Sequence, residues 1–245
     1  MRVRTFLNTV LFGVWAVCWL AVSGLAAGPF LYIWPGKNGR NARRLVYVQA
    51  KGILFFMRLC SRSWRVETPA PRPKGPCVVA ANHASSLDLY CVAAVAAFGY
   101  DNVVYITKGW VFKLPFFGYV MRRAGYIDAQ TTPPQQMLER CRQAVQDGCD
   151  IVLFPQGSRK DPNARFKSGA FYLAIELGLP VVPLAIGGTG DMLPSRAVWL
   201  KPADILLAAL PPVYPADFTG PLDHLHMARA VKNRIMDYLH KEQKQ

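Results

Sequence analysis

The sequence predicts an α/β fold in which a mainly parallel sheet is covered by helices, preceded by an N-terminal membrane-embedded segment of two helices. Three observations support this prediction. Short apolar runs alternate with helical patterns from Cys77 onwards, which is typical of a parallel sheet. The stretch Thr5–Trp34 contains no charged residue. The stretch that follows places a basic residue at every seventh position, as an amphipathic helix does.

The composition indicates an anionic partner. Hydrophobic residues make up 52% of the 245 residues and charged residues 18%, with a formal net charge of +14. A basic, apolar-rich chain suits either nucleic acid or an acidic membrane surface. The apolar excess is concentrated at the N-terminus, and the sequence contains no recognised nucleic-acid-binding motif. We therefore expect an anionic membrane surface as a partner, and no nucleic acid.

The first predicted helix covers Thr5–Trp34. A bilayer core needs about 20 apolar residues in a helix, whereas the apolar region of a signal peptide spans about 7–15, so the length favours a retained membrane segment. Basic residues flank the stretch on both sides, so they do not decide its orientation. A helix confined to one leaflet, bent at Gly24 or at Gly28, is an alternative to a full span.

The second predicted helix carries Arg44, Lys51, Arg58 and Arg65 along one stripe, together with Arg62. This pattern favours a helix lying in the headgroup plane, and the alternative is an amphipathic helix packed on its own domain. We accordingly predict a membrane-anchoring segment at residues 1–65 and an α/β domain at residues 66–245. The six cysteines lack paired C-x-x-C spacing, so neither a disulfide framework nor a metal site is expected.

The α/β domain is predicted to alternate strands and helices after a proline-rich link. The strands are expected at Cys77–Ala81, Val103–Thr107, Asp150–Phe154, Pro180–Ile186 and Ile205–Leu210. The helices are expected at Leu87–Phe98, Pro133–Asp147, Ser168–Leu177 and Leu222–His240. The second of these helices has the clearest ends, with Thr132 as N-cap, Pro133 at the first helical position and Gly148 at the stop.

Polar residues follow three of the predicted strands directly. They are His83, Lys108 and the turn Gln156–Arg159. Functional residues of parallel sheets lie at the carboxyl ends of the strands, so we expect these residues to cluster.

His83 and Asp88 are five positions apart, a spacing that points side chains in different directions on a helix. The two can meet only if the chain changes course between them, and Ser85 or Ser86 could cap a helix that begins there. A carboxylate bonded to one imidazole nitrogen leaves the other free to take a proton, so the pair is a candidate general base with its orienting acid. The alternative is a histidine that only fills space.

Lys108 and Arg159 are candidate anion contacts, because each follows a buried strand. The backbone and hydroxyl of Gly157 and Ser158 would complete a phosphate site. Ordinary surface charge is the alternative. The remaining histidines, all near the C-terminus, have no partners at metal-ligand spacing.

Four blocks of this sequence resemble the glycerolipid acyltransferases related to 1-acyl-sn-glycerol-3-phosphate acyltransferase. "NHASSLD" matches the family's N-H-x-x-x-x-D block, and "KGWVFKLPFFGYVMRRAGYIDA" matches the second block. "FPQGSR" resembles Phe-Pro-Glu-Gly-Thr-Arg, and "VVPLAI" matches the fourth. The blocks occur in the family's order, which makes the resemblance specific.

The resemblance implies transfer of a fatty acyl group from a thioester donor, acyl-CoA or acyl carrier protein, to the hydroxyl of a lysolipid. His83 and Asp88 would be catalytic, and Lys108, Gly157, Ser158 and Arg159 would bind the headgroup phosphate. No cofactor is implied and no metal, and the sequence contains no G-x-S-x-G nucleophile motif. The two-helix leader resembles short bacterial members, which implies the inner membrane with the catalytic domain facing the cytoplasm.

Two positions depart from the family pattern. Gln156 stands where the family has glutamate, and Ala129 where its second block ends in arginine. The expected acceptor is 1-acyl-sn-glycerol-3-phosphate, which would give phosphatidic acid. With these departures, a lysophospholipid or a lyso-amino-acid lipid is an alternative acceptor, and a catalytically silent lipid-binding homologue is an alternative function.

Overall fold

A computed structural model describes residues 3–33, 39–95, 102–161 and 164–242 of the protein. The helices are α1 (Val3–Ile33), α2 (Arg40–Cys60), α3 (Asp88–Cys91), α4 (Phe117–Arg123), α5 (Pro134–Gln146), α6 (Gly169–Glu176), α7 (Thr189–Met192) and α8 (Asp223–Glu242). The strands are β1 (Ser63–Glu67), β2 (Val78–Ala81), β3 (Val103–Thr107), β4 (Ile127–Asp128), β5 (Asp150–Leu153), β6 (Val181–Gly187) and β7 (Asp204–Ala209).

The strands form one sheet in the order β1-β7-β6-β2-β5-β3-β4. Five neighbouring strands, from β6 to β4, run parallel, while β7 pairs antiparallel with β6 and parallel with β1. The predicted mainly parallel sheet covered by helices is therefore confirmed. The antiparallel β7 and the edge strand β1 were not expected from the pattern of apolar runs.

Both faces of the sheet are buried, which explains why its strands read as continuous apolar runs. Val78 and Ala80 point to a core that also contains Phe171 of α6 and Val231 of α8. Their neighbours Val79 and Ala81 point to the opposite face and a second core. Successive side chains on a strand point to opposite faces, so two helical layers are required.

Helix α2 closes the second core and also contacts α1. Ile53 and Met57 of α2 are buried against the sheet, while the indole nitrogen of Trp15 on α1 donates to the Gly52 carbonyl at 2.9 Å. A side chain at Gly52 would overlap the ring of Trp19, so glycine permits the two helices to approach. The alternative to the favoured prediction, an amphipathic helix packed on its own domain, is thus present, and the basic residues Arg44, Lys51 and Arg58 are exposed.

The stripe is shorter than predicted. Helix α2 ends at Cys60, so Arg62 and Arg65 lie outside it. Arg62 pairs with Asp204 on β7 at 3.0 Å, and Arg65 lies in β1 and pairs with Glu242 of α8 at 3.0 Å. The predicted division at residue 65 consequently falls inside β1. Helix α1 is helical without interruption through Gly24 and Gly28.

Two helix starts differ from prediction. The predicted helix Leu87–Phe98 is only one turn of α-helix, α3, followed by a 3₁₀ turn at Val92–Ala94, and residues 96–101 lie outside the described ranges. The N-cap of α3 is Leu87 and not a serine. In α5 the N-cap is Pro133 and the first helical residue is Pro134. The serine cap of α3 is wrong because Asp88 accepts the N–H groups of Ala84 and Ser85. In α5 the start is shifted by one residue because two prolines follow each other, and either can stand at the first helical position.

Candidate active site

His83 and Asp88 meet at the carboxyl end of β2. The chain turns after Ala81, and α3 begins at Asp88. This turn brings Oδ2 of Asp88 to 2.8 Å from Nδ1 of His83. The same oxygen accepts the backbone N–H groups of Ala84 at 2.7 Å and Ser85 at 2.8 Å. Three donors therefore converge on one carboxylate oxygen, which orients the acid and holds the ring.

Burial of the acid and partial exposure of the base suit a proton-transfer pair. The Asp88 side chain is fully buried, whereas 15% of the His83 side chain is exposed. The imidazole lies over the ring of Phe154, with centroids 4.5 Å apart. With Nδ1 donating to the carboxylate, Nε2 is the nitrogen left to accept a proton.

The loop that carries His83 is fastened to neighbouring strands. The Asn82 side chain donates to the Ile186 carbonyl and accepts from the Ile186 N–H, both at 2.8 Å. Ser85 Oγ, which was a candidate cap, instead donates to the Leu193 carbonyl beyond α7 at 2.8 Å. Sequence reasoning did not assign Asn82 a role, although its place beside His83 in the first block is a signal.

Gln156 is the other residue that fastens this loop. Its Oε1 accepts the backbone N–H of His83 at 2.5 Å, and its Nε2 donates to the Asp161 carbonyl at 3.3 Å. The side chain is buried, with 4% of the residue exposed. The amide thus links the His83 loop to the loop that follows β5.

The loop after β5 forms a tight turn. Gly157 has a φ of 64°, which favours glycine, and its N–H donates to the Phe154 carbonyl at 3.0 Å. A Cβ at Gly157 would lie 3.1 Å from Nζ of Lys167, so that ammonium group lies over the turn. The sequence did not predict a role for Lys167, because its position over the Gly157 turn depends on the fold.

The predicted anion contacts reach the same edge of the sheet. Strands β2, β5 and β3 are parallel neighbours, and their carboxyl ends lead to His83, Gly157 and Lys108 respectively. Ser158 and Arg159 are half-buried beyond Gly157, whereas Lys108 is exposed. The loops that carry His83, Arg159 and Lys108 therefore leave the sheet at the same edge, and the phosphate-binding roles stay predictions.

Asp128, at the end of β4, supports the Lys108 segment. A Cβ at Gly109 would lie 2.5 Å from an Asp128 carboxylate oxygen, so only glycine fits after Lys108. Burial alone would raise the pKa of Asp128. Hydrogen bonds from Thr131 and Gln130 outweigh that effect and lower its pKa below the usual value. The resulting carboxylate is bound to its own turn and not to the base.

An apolar pocket adjoins the catalytic pair. Its walls come from α2, α3, β3 and α4, and include Tyr47, Leu89, Tyr105 and Met121. Leu89 follows Asp88 directly in the chain, and the Tyr105 hydroxyl donates to the Leu89 carbonyl at 3.1 Å. The apolar lining of the pocket suits a hydrocarbon chain.

Cys91, in the same region, is not suited to act as a nucleophile. Burial, and next the Asp88 charge, raise the pKa of its thiol well above the usual value. A neutral thiol is a poor nucleophile, so an acyl-enzyme through Cys91 is unfavourable. Across the described ranges, no group of three or more metal-ligating side chains is found.

Comparison with known proteins agrees with the site. The Acyltransferase family profile matches residues 63–187, just over half of the chain. The chain is 32% identical over 150 residues to the chloroplastic 1-acyl-sn-glycerol-3-phosphate acyltransferase BAT2 of Brassica napus, covering 59% of this chain and 42% of that protein. It is 24% identical over 155 residues to the 1-acyl-sn-glycerol-3-phosphate acyltransferase of Pseudomonas aeruginosa, covering 61% and 58%.

A solved structure has the same fold. The crystal structure of the 1-acyl-sn-glycerophosphate acyltransferase PlsC from Thermotoga maritima superimposes with a TM-score of 0.70, at 20% sequence identity and over 96% of each chain. The chain spans less than half the length of the first plant relatives it matches, 42% and 35%. The profile match extends from β1 to the end of β6 and includes His83, Asp88, Lys108 and Arg159, so this chain belongs to the Acyltransferase family.

Proposed function

We propose that the protein transfers a fatty acyl group from a thioester donor, acyl-CoA or acyl carrier protein, to the free hydroxyl of 1-acyl-sn-glycerol-3-phosphate. The product would be phosphatidic acid, for phospholipid biosynthesis. The observation that carries the proposal is the His83–Asp88 pair, with its carboxylate bonded to three N–H donors. The similarity to proteins named for this reaction supports the choice of acceptor.

The proposed reaction needs one base and no protein nucleophile. Nε2 of His83 takes the hydroxyl proton as the acceptor oxygen attacks the thioester carbonyl. The C–S bond then breaks, and the departing thiolate takes a proton from the imidazolium, which restores the base. Asp88 stabilises the imidazolium that forms between these steps. Lys108 and Arg159 would hold the acceptor phosphate, and the apolar pocket an acyl chain.

A panel of acceptors and donors tests this function. The purified full chain would be given lysophosphatidic acid, lysophosphatidylcholine and lyso-amino-acid lipids, each with acyl-CoA or acyl carrier protein, and thioester consumption would be measured. We expect lysophosphatidic acid to give the highest kcat/KM. A preference for a zwitterionic acceptor would move the proposal to that lysolipid. Absence of thioester consumption with every pair would identify a lipid-binding homologue without activity.

Neutralising either proposed phosphate contact should weaken acceptor use. A charge-assisted hydrogen bond contributes roughly 1.5–3 kcal/mol, so Lys108→Met or Arg159→Met should raise the acceptor KM about ten- to a hundredfold. The donor KM should stay within about twofold, since the lost interaction serves the acceptor. Lys160→Met is a matched control, because Lys160 is the exposed neighbour of Arg159. Equal effects of Lys160→Met and Arg159→Met would remove Arg159 from the site.

We also propose that the protein works at a bacterial inner membrane, on its cytoplasmic face, with α1 as the main anchor. Val3–Gly28 has a mean hydropathy of 2.1 and only 6% of it is buried. Within the described ranges it is the one helix long and apolar enough to cross a bilayer, a property shared by signal sequences. Two exposed aromatic loops adjoin it: the Phe116 ring contacts Gly24, and the Trp199 ring lies 6.4 Å from that of Phe6.

Polar substitutions on the exposed face of α1 should release the protein from vesicles. Leu11, Val14 and Val17 are 55%, 58% and 69% exposed. Each apolar side chain that inserts contributes about 1.5–3 kcal/mol, so changing all three to serine should lower partitioning into anionic vesicles by more than about a hundredfold. The matched control changes Tyr172, Leu222 and Leu225, which are exposed on α6 and around the start of α8. Full flotation of the α1 variant would show that α1 is not the anchor.

A further inference from the structure

Gln156 connects two loops that carry residues of the proposed reaction. One loop carries His83 and follows β2, and the other carries Arg159 and follows β5. The β2–β5 ladder ends with the pair Ala80 and Leu153. Beyond that point the strands no longer hold the loops together, and the Gln156 amide provides a connection between them.

An amide suits this position because its oxygen faces a hydrogen-bond donor and its nitrogen faces an acceptor. Its oxygen accepts the His83 N–H at 2.5 Å, and its nitrogen donates to the Asp161 carbonyl at 3.3 Å. Gln156 is buried, so leaving its amide oxygen or its amide nitrogen without a hydrogen-bond partner would cost free energy. A carboxylate could accept from His83 but has no proton to donate to Asp161, and its oxygen would face a carbonyl oxygen.

The described hydrogen bonds of the loop after β5 lie at its base, at its turn and at Asp161, whose carbonyl also accepts the Ala164 N–H at 3.1 Å. Lys167 N–H donates to the Pro155 carbonyl at 2.9 Å and closes the base of the loop. The Lys160 N–H donates to Ser158 Oγ at 3.2 Å, a contact local to the turn. The Gln156–Asp161 bond instead reaches across the turn on which Arg159 lies.

We infer that Gln156 is a positioning residue that fixes the His83 backbone with its amide oxygen and the Arg159 loop with its amide nitrogen. The inference rests on the proposed function, in which His83 is the base and Arg159 contacts the acceptor phosphate. It also explains a departure from the family pattern: in this chain, the residue at 156 must both accept and donate a hydrogen bond.

Two substitutions separate the two ends of the bridge. Gln156→Met keeps the length of the side chain and removes both hydrogen bonds. Gln156→Glu keeps the acceptor for His83 and removes the donor to Asp161. Displacement of a catalytic group by about 1 Å costs on the order of a hundredfold in rate. We therefore expect Gln156→Met to lower kcat about ten- to a hundredfold and to raise the acceptor KM about tenfold.

The glutamate variant should show a different kinetic pattern. With the His83 backbone still held, kcat should stay within about threefold of wild type. The acceptor KM should rise about tenfold, because the Arg159 loop loses its tie and a negative charge lies behind it. Gln143→Met and Gln143→Glu, on the exposed side of α5, are matched controls. Equal losses of kcat in Gln156→Met and Gln156→Glu would overturn the two-ended bridge.

Amide hydrogen exchange tests the bridge without catalysis. In the full chain, exchange of the His83 N–H should be at least about tenfold faster in Gln156→Met than in wild type, and close to wild type in Gln156→Glu. Unchanged His83 exchange in Gln156→Met would overturn the inference. Should wild type consume no thioester with any acceptor, the proposed function would fail, while the exchange measurement would still decide whether Gln156 holds His83.

Discussion

Replacing His83 with alanine is expected to abolish acyl transfer while the protein stays folded. A general base contributes about 10²–10⁴-fold to rate, so kcat should fall by at least about a hundredfold. The Cys91 thiol is a poor substitute base, because burial raises its pKa well above the usual value and keeps it neutral. Thioester consumption at saturating donor and acceptor measures the loss. Both KM values should change little, because the imidazole acts chiefly in the transition state.

The chain contains a matched control for this substitution. His224 also lies beside an acid, with Nδ1 3.2 Å from Oδ1 of Asp223, and is likewise half-buried. His224 lies at the start of α8, whereas His83 follows the carboxyl end of β2. His224→Ala should therefore retain wild-type turnover. Wild-type turnover in a folded His83→Ala preparation would refute the general-base assignment.

Replacing Asp88 with asparagine is expected to be nearly as damaging, for a different reason. Oδ2 of Asp88 contacts Nδ1 of His83 and the N–H groups of Ala84 and Ser85, so an asparagine oxygen in that place keeps all three bonds. The asparagine is neutral, however, and no longer stabilises the imidazolium that forms when Nε2 takes the hydroxyl proton. The value of kcat should therefore fall on the order of a thousandfold.

A comparison of Asp88→Asn with Asp88→Ala separates an effect on catalysis from an effect on folding. Asp88→Asn is close in shape to the native residue and should leave the melting temperature within a few degrees of wild type. Asp88→Ala would leave the Ala84 and Ser85 N–H groups without their acceptor, so it should destabilise the fold as well, by about 1–3 kcal/mol for each unsatisfied group. Asp223→Asn on α8 serves as the control. An Asp88→Asn enzyme with normal kcat would show that the Asp88 charge does not support the base.

The candidate site shows which contacts the spacing of residues in the sequence can predict and which it cannot. The separation of His83 and Asp88 predicts a turn between them, and the structure has that turn. The expected serine cap is wrong, because Asp88 itself collects the N–H groups of the loop. Gln156 and Ala129 both depart from the family pattern, and β3 lies between the strands that precede them. Gln156 contacts backbone groups that no local pattern reveals.

The strands also divide into those that the sequence predicts and those that it does not. Runs such as Asp150–Leu153 and Val181–Gly187 are buried on both faces, and an apolar run between turn residues signals such strands. β1 was missed because its sequence, Ser63–Glu67, is largely polar and exposed. It is a strand only because it pairs with β7. β4 is two residues long and depends similarly on β3.

The sequence by itself determined the parallel sheet with its helices, the uncharged N-terminal helix and the pairing of His83 with Asp88. These depend on periodicity, length and spacing along one stretch of chain, which are local properties. The tertiary structure alone decided that α2 belongs to the core, that Lys167 lies over the Gly157 turn and that Gln156 bridges two loops. Each of these is a contact between residues far apart in sequence, and such contacts exist only once strand order and register are set.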